Sequence, residues 1–253
     1  MSITRTLLRI ATREALSGAT LAEHRVFDSV IDPTDNRISD REKRPMIAVY
    51  TDDHGSDEGQ GRGDFLQDGR LDLVLECIVA SRITVPIEGE NDEVIQLSVP
   101  NSDAGTEIIL DLLEAQAIRA LVAGIGPWPD LWRELCVADI RSHMSRRGVS
   151  AEQAGRFAVR QITLSVDLLI DPDRGLALDP SGPWARALVL MDGNPALSNT
   201  AQILRSELEG EPMTDWRRAA ARLGVNLSTV EALGLGPLEA DDPVPLVEGE
   251  VIP

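Results

Sequence analysis

The stretch at 70–81, RLDLVLECIVAS, constrains the fold more than any other part of the sequence. Leu71, Leu73, Leu75, Cys77 and Val79 fall on one side of an extended chain, and Asp72, Val74, Glu76 and Ile78 fall on the other. That alternation fits a strand with one face on a core. The same period returns at 156–170, where Ile162, Leu164, Val166, Leu168 and Ile170 alternate with Thr163, Ser165 and Asp167. Asp171-Pro172 ends this run, because proline has no N–H to give to a ladder. Two shorter strands are predicted at 26–31, stopped by Asp32-Pro33, and at 46–51, where Ile47, Val49 and Thr51 alternate with Ala48 and Tyr50.

Between the strands the period changes. Ile3, Leu7, Leu8, Ala11, Ala15 and Leu16 recur at helical spacing, with Ser2 as a cap and Gly18 as a stop. Arg5, Arg9 and Arg13 form a basic edge on that helix. A long helix is predicted at 106–124, starting from Asp103 or Thr106. Its stripe is Ile109, Leu112, Leu113, Gln116, Ala117, Ala120 and Leu121, and Gly124 and Gly126-Pro127 end it. A further helix is predicted at about 129–145, carrying Leu131, Trp132, Leu135 and Val137. Short helices are expected at 184–191 and 200–209, and a helical pair at 214–235. Residues 86–105 read as polar loop with room for one short edge strand. Blocks of helices beside half-polar strands imply an α+β fold, a mainly antiparallel sheet with helices packed on one face, plus a C-terminal helical extension. On this reading 1–125 is the core and 126–238 continues it through the strand at 156–170 with added helices. Residues 239–253, with five acids, three prolines and no base, form an acidic extended arm.

The residues at 52–69 include five glycines and six acids against one arginine, which predicts a mobile loop. Asp52, Asp53, His54, Asp57 and Glu58 are dense enough to attract a cation, but their spacing does not match a calcium loop, and a solvated loop is the better reading. The three histidines, His24, His54 and His143, form no HxxxH or HxH pair. No GxSxG elbow and no GxxxxGK[ST] loop is present, and the GQGRG at 59–63 leads into no helix. Cys77 and Cys136 sit on apolar faces as core residues and make no CxxC pair, which suits a reducing compartment. No apolar run reaches the roughly 18 residues that span a bilayer, and Arg5, Arg9 and Arg13 interrupt any signal-like segment. Neither an enzyme, a cofactor nor a metal is expected.

Nucleic-acid binding also fares poorly. The net charge is −18, from 42 acids and 24 bases, and aromatics are 3% of the chain. Such a chain repels phosphate and lacks stacking platforms. The segment WRRAAARLGVNLSTVEALGLG at 216–236 does resemble a helix-turn-helix, with Ala220, Gly224 and Val230 at the small, turn and packing positions. Its second helix offers Ser228, Thr229 and Glu231 but no Lys or Arg, while Arg217, Arg218 and Arg222 lie on the first. A packing hairpin is favoured over a DNA-binding regulator.

The opening segment carries a resemblance. RTLLRIATREALSGATLAEHRVFDSVIDPTD, a linker and then PMIAVYTDD resemble the N-terminal part of tail terminator proteins of tailed bacteriophages. The matching features are an Arg-bearing amphipathic helix, an RVFDS strand at 25–33, a VYTDD strand at 45–53 and DLVLECIVAS as the third strand. The resemblance reaches about residue 125. It implies a small fold with no catalytic residues that assembles as a ring, usually of six subunits. Such a ring caps the head-proximal end of the tail tube, joins it to the head connector and lets genomic DNA pass without binding it specifically. It implies a place in the virion, assembled in the host cytoplasm and away from any membrane. Another head–tail completion or tube-like ring protein is the nearest alternative. Asp52, Asp53, Asp57, Glu58, Arg62, Asp64 and Asp68 are then expected to face the lumen or the adjacent tube ring.

Overall fold

A computed structural model of the chain describes residues 3–29, 45–55, 70–80, 82–88, 94–100, 103–137, 140–152 and 155–210. The fold is α+β. Strands β1 (Val26–Asp28), β2 (Met46–Gly55) and β3 (Arg70–Ala80) share a five-stranded sheet with β6 (Ser142–Glu152) and β7 (Gly155–Asp167). The order is β1-β2-β3-β7-β6. Only β1 and β2 run parallel; the other neighbours are antiparallel. A separate two-stranded ladder pairs β4 (Arg82–Glu88) with β5 (Val94–Pro100).

Side-chain alternation decides the core. Leu71, Leu73, Leu75, Cys77 and Val79 are all buried, and so are Ile162, Leu164 and Val166 beside them. Cross-strand register lines them up as Val49–Leu75–Ile162 and Thr51–Leu73–Leu164. Three helices contact the sheet or one another over this face: α1 (Ile3–Leu16), α2 (Asp103–Ala123) and α3 (Pro127–Leu135). The opposite face carries a smaller cluster in which Met46 and Ile78 pack with Phe27 and Val159.

Local chemistry places the helices. Ile3, Leu7, Leu8, Ala11, Ala15 and Leu16 are buried, as their spacing predicts. The first turn of α1 is capped from a distance. The N–H groups of Ile3 and Thr4 donate to the Asp171 carboxylate at 2.8 and 2.7 Å, just beyond β7. Gly18 follows the helix with φ 74°, a left-handed conformation that favours glycine. Trp132 of α3 donates its indole N–H to Thr12 Oγ1 at 3.1 Å, and that hydroxyl donates to the Leu8 carbonyl at 2.7 Å. Arg133 Nη1 donates to the Leu121 and Gly124 carbonyls at 3.2 and 3.0 Å, satisfying acceptors at the end of α2. A Cβ on Gly124 would stand 2.1 Å from the Ala120 carbonyl oxygen, so that tight exit requires glycine.

Four expectations are corrected. The helix expected at 129–145 stops at Leu135. Val137 N–H then donates to the Asp167 carbonyl at 2.8 Å and Leu169 N–H to the Leu135 carbonyl at 2.9 Å, so the end of β7 takes up the backbone groups that a longer helix would use. Residues 142–152 are an edge strand rather than helix. The polar region 86–105 contains most of the β4–β5 ladder. The predicted stripe on α2 holds at Leu113, Ala117, Ala120 and Leu121, which are buried, but Leu110 is buried in place of Leu112, which is 46% exposed. No loop begins at residue 52, because β2 runs to Gly55, and residues 56–69 lie outside the described residues. Asp52 and Asp53 lie at a register shift between Thr51, opposite Leu73, and His54, opposite Leu71. Two residues there oppose Asp72 alone, which is a β-bulge.

The chain divides into two compact units. The first holds the sheet and runs through Pro172, with Leu178–Ala187 added. In it Trp184 donates its indole N–H to Thr4 Oγ1 at 3.0 Å. The second comprises Asp173–Ala177 and everything from Leu188 onward. In its described part Leu188, Met191, Leu197, Ala201, Leu204 and Leu208 are buried, and it includes helix α5 (Ser198–Glu209). Helix α4 (Pro183–Asp192) and α5 match the two short helices the sequence predicts. The helical pair at 214–235 and the arm at 239–253 lie outside the described residues.

Candidate functional site

The expected basic edge of α1 is not an open patch. The Arg9 guanidinium pairs with the Asp28 carboxylate of β1. Arg5 donates from Nε to Thr51 Oγ1 at 2.7 Å and from Nη2 to the Thr51 carbonyl at 2.6 Å, on β2. Arg13 pairs with its neighbour Glu14. The first two arginines therefore clamp the helix onto the two strands that follow it. Of the acidic set, Asp52 and Asp53 sit in the β2 bulge, while Asp57, Glu58, Arg62, Asp64 and Asp68 lie outside the described residues. Among the described residues no cluster of His, Cys, Asp and Glu could hold a metal ion.

The densest constellation lies where α2 crosses β7 and β6, and sequence reading missed it. Glu107, Asp111 and Glu114 fall on one face of α2 at i, i+4 and i+7. Arg160 of β7 meets all three: Nη2 lies 2.8 Å from Glu107, and Nη1 bonds to Asp111 and lies 3.1 Å from Glu114. Burial works against the Arg160 charge. The hydrogen bonds that Arg160 donates to Asp111 and Glu114 outweigh it and hold the guanidinium pKa above its ordinary value. Arg147 of β6 stands directly opposite Arg160 in the ladder, a like-charge pair. Glu107 offsets that repulsion by ion pairing with both, with Arg147 Nε at 2.7 Å. Glu114 also takes Ser145 Oγ at 3.0 Å and His143 Nε2 at 3.0 Å.

This network explains the edge strand. The cross-strand rows that are apolar in the middle of the sheet end on β6 in His143, Ser145 and Arg147. Those side chains face the acids of α2 instead of a core. Among the described residues no strand pairs with the far side of β6, an edge strand of 11 residues. Arg141, Met144, Arg146 and Arg147 are exposed there. On α2, Ile108 and Leu112, four residues apart, are exposed at 59% and 46%, a short apolar row.

Neither cysteine is built for reactivity. Cys77 is fully buried beneath α2, and its thiol is pushed up to about 12 by burial, with the Glu114 carboxylate adding to the shift. Cys136 rises to about 12 for the same first reason, with Asp167 beside it. His24 shares a 3.1 Å contact with Ser17 Oγ, and His143 meets Glu114, so these two stand in separate places. No helix among the described residues is long and apolar enough to cross a membrane.

No protein-family model and no curated protein matches this chain.

Proposed function

We propose that the chain is a structural protein of a bacteriophage tail, the terminator that closes the head-proximal end of the tail tube as a ring. The observation that carries this reading is how the stretches of resemblance hold one another. The Arg-bearing helix, the RVFDS strand and the VYTDD strand are consecutive in sequence, and they pack as one body. Arg9–Asp28 ties the first to the second, and Arg5–Thr51 ties the first to the third. The polar residues of the shared pattern thus have a packing role.

Two further features support a part that works by its surfaces. A ring needs lateral contacts, and the edge of β6, unpaired among the described residues, and the exposed Ile108 and Leu112 offer them. A conduit for DNA is better lined by a chain that repels phosphate, and this one has a net charge of −18. On this reading the partners are further copies, the tail tube protein and the head connector. DNA passes without a specific site, and the protein resides at the head–tail junction of the virion.

The test is the native mass of the purified chain, with negative-stain imaging before and after adding tail tubes. A closed ring near six times the 27.5 kDa chain mass, or a ring that forms on tube ends, is the expected result. A stable dimer that ignores tube ends would overturn the reading, because twofold symmetry suits an operator-binding protein and not a tube cap.

A further inference from the structure

The edge of β6, unpaired among the described residues, asks for a strand, and the chain itself narrows what that strand can be. Pairing β6 with β6 of a second copy brings Arg146 and Arg147 against their own equivalents, with no acid from residue 141 to 151 on either strand to relieve them. The opposite edge of the sheet, β1, is only three residues long and cannot cover an 11-residue strand. The segment at 30–44 carries four bases and four acids, so it presents no net negative charge to β6, and Pro33 interrupts its ladder. The segment at 56–69 has four glycines and little strand preference.

One segment fits. Residues 246–252, LVEGEVI, lie between Pro245 and Pro253, so seven consecutive backbone N–H groups are free of proline. Leu246, Val247, Val251 and Ile252 suit an extended strand. Glu248 and Glu250 fall on one side of such a strand, two residues apart. His143, Ser145 and Arg147 stand on the face of β6 that meets the α2 acids, with Arg147 paired to Glu107, and Arg146 stands on the other face. Over 239–253 there are five acids and no base, while β6 carries Arg146 and Arg147 and meets its first acid only at Glu152.

We infer that the acidic segment at 246–252 of one copy adds as a strand to the far edge of β6 on a second copy. Main-chain hydrogen bonds supply the contact, and Glu248 and Glu250, on the face away from the α2 acids, flank Arg146 and select it. Such a contact is head-to-tail, because the surface given and the surface taken differ, and repeated contacts of this kind close a ring. The inference rests on the ring reading above and specifies how neighbouring subunits engage.

Full-length chain, the R146E variant, the E248R/E250R variant and the variant carrying all three changes decide the matter by native mass across a dilution series. Each charge reversal is expected to weaken association about tenfold or more, and the combination to restore it. Circular dichroism matching the unmodified chain excludes a folding defect, and recovery in the combined variant excludes it independently. Unchanged association in both reversals would overturn the inference, as would a combined variant that stays dissociated while folded. An unmodified chain that remains monomeric at its highest soluble concentration, in the absence and presence of tube ends, would overturn it too. Rings that form regardless of these substitutions, imaged on tube ends, would leave the terminator reading standing while the arm contact falls.

Discussion

Cys77 and Cys136 show how position alone decides the behaviour of a residue. Both thiols titrate near 12 in the folded chain instead of near 9.0. Near neutral pH this lowers the thiolate fraction on the order of a thousandfold. The folded state therefore keeps two protons that the unfolded chain releases above about 9. The corresponding stability is fully present below pH 9 and is lost as pH rises from 9 toward 12. Urea denaturation followed by circular dichroism should give a midpoint that falls between pH 8.5 and 10.5, and the fall should shrink in the C77A/C136A variant. A thiol-titration arm settles the same point: iodoacetamide at pH 8 should label the native chain far more slowly than the urea-unfolded chain. Equal labelling rates would show that burial does not hold these protons.

At the scale of elements, α2 is the informative case. It is apolar on more than one side, so its composition does not say which side faces the sheet. Leu113 is fully buried and Leu112 is half exposed, one residue and about 100° apart on the helix. Leu113→Ala should cost about 3 kcal/mol, in the range for a buried leucine, and Leu112→Ala less than about 1 kcal/mol. Chemical denaturation of the two variants checks the phase directly, and equal losses would contradict it. The acids of α2 settle the phase physically. Glu107, Asp111 and Glu114 need the cation Arg160, and Glu107 must also bridge Arg147, so the helix turns until one carboxylate row overlies β7 and β6. A hydrophobic stripe drawn from Ile109 and Leu112 misses that requirement.

The whole molecule is read here as an assembly part, and its loops are then tested by what they do to assembly. The β2–β3 connection leaves from Gly55 and returns at Arg70, which are directly paired across the ladder. Its ends are therefore already held together, and shortening it removes no sheet register. Deleting residues 56–66 should leave the thermal midpoint within a few degrees of the unmodified chain and spoil the joining of tails to heads. Electron microscopy of complemented lysates counts joined particles. Full joining by the deletion variant would remove this segment from the lumen or tube-ring contact. Substituting Arg217, Arg218 and Arg222 by alanine belongs to the same experiment: on the terminator reading there is no salt-sensitive DNA affinity to lose.

Periodicity alone was enough for β3, β7 and α1. In each, one face meets an apolar core, and the pattern that burial demands is written in consecutive residues such as Leu71 to Val79 or Ile3 to Leu16. The same holds for α4 and α5. The Arg5 and Arg9 row was visible as a row, but the sequence could not say that Thr51 and Asp28 take it up, since those partners lie 46 and 19 residues away. The sequence was equally silent on β6. Its sheet-facing side chains are His143, Ser145 and Arg147, polar residues whose partners are acids from a helix that ends about 20 residues earlier. A strand that meets charges instead of a core leaves no apolar alternation to read. The end of α3 at Leu135 was decided by the backbone of β7, and the bulge at Asp52 and Asp53 by the register of β3. The sequence by itself thus determined the elements that face apolar core. Only the tertiary structure decided those whose hydrogen bonds and ion pairs come from distant parts of the chain, because a charged or backbone partner leaves no period in the residues it meets.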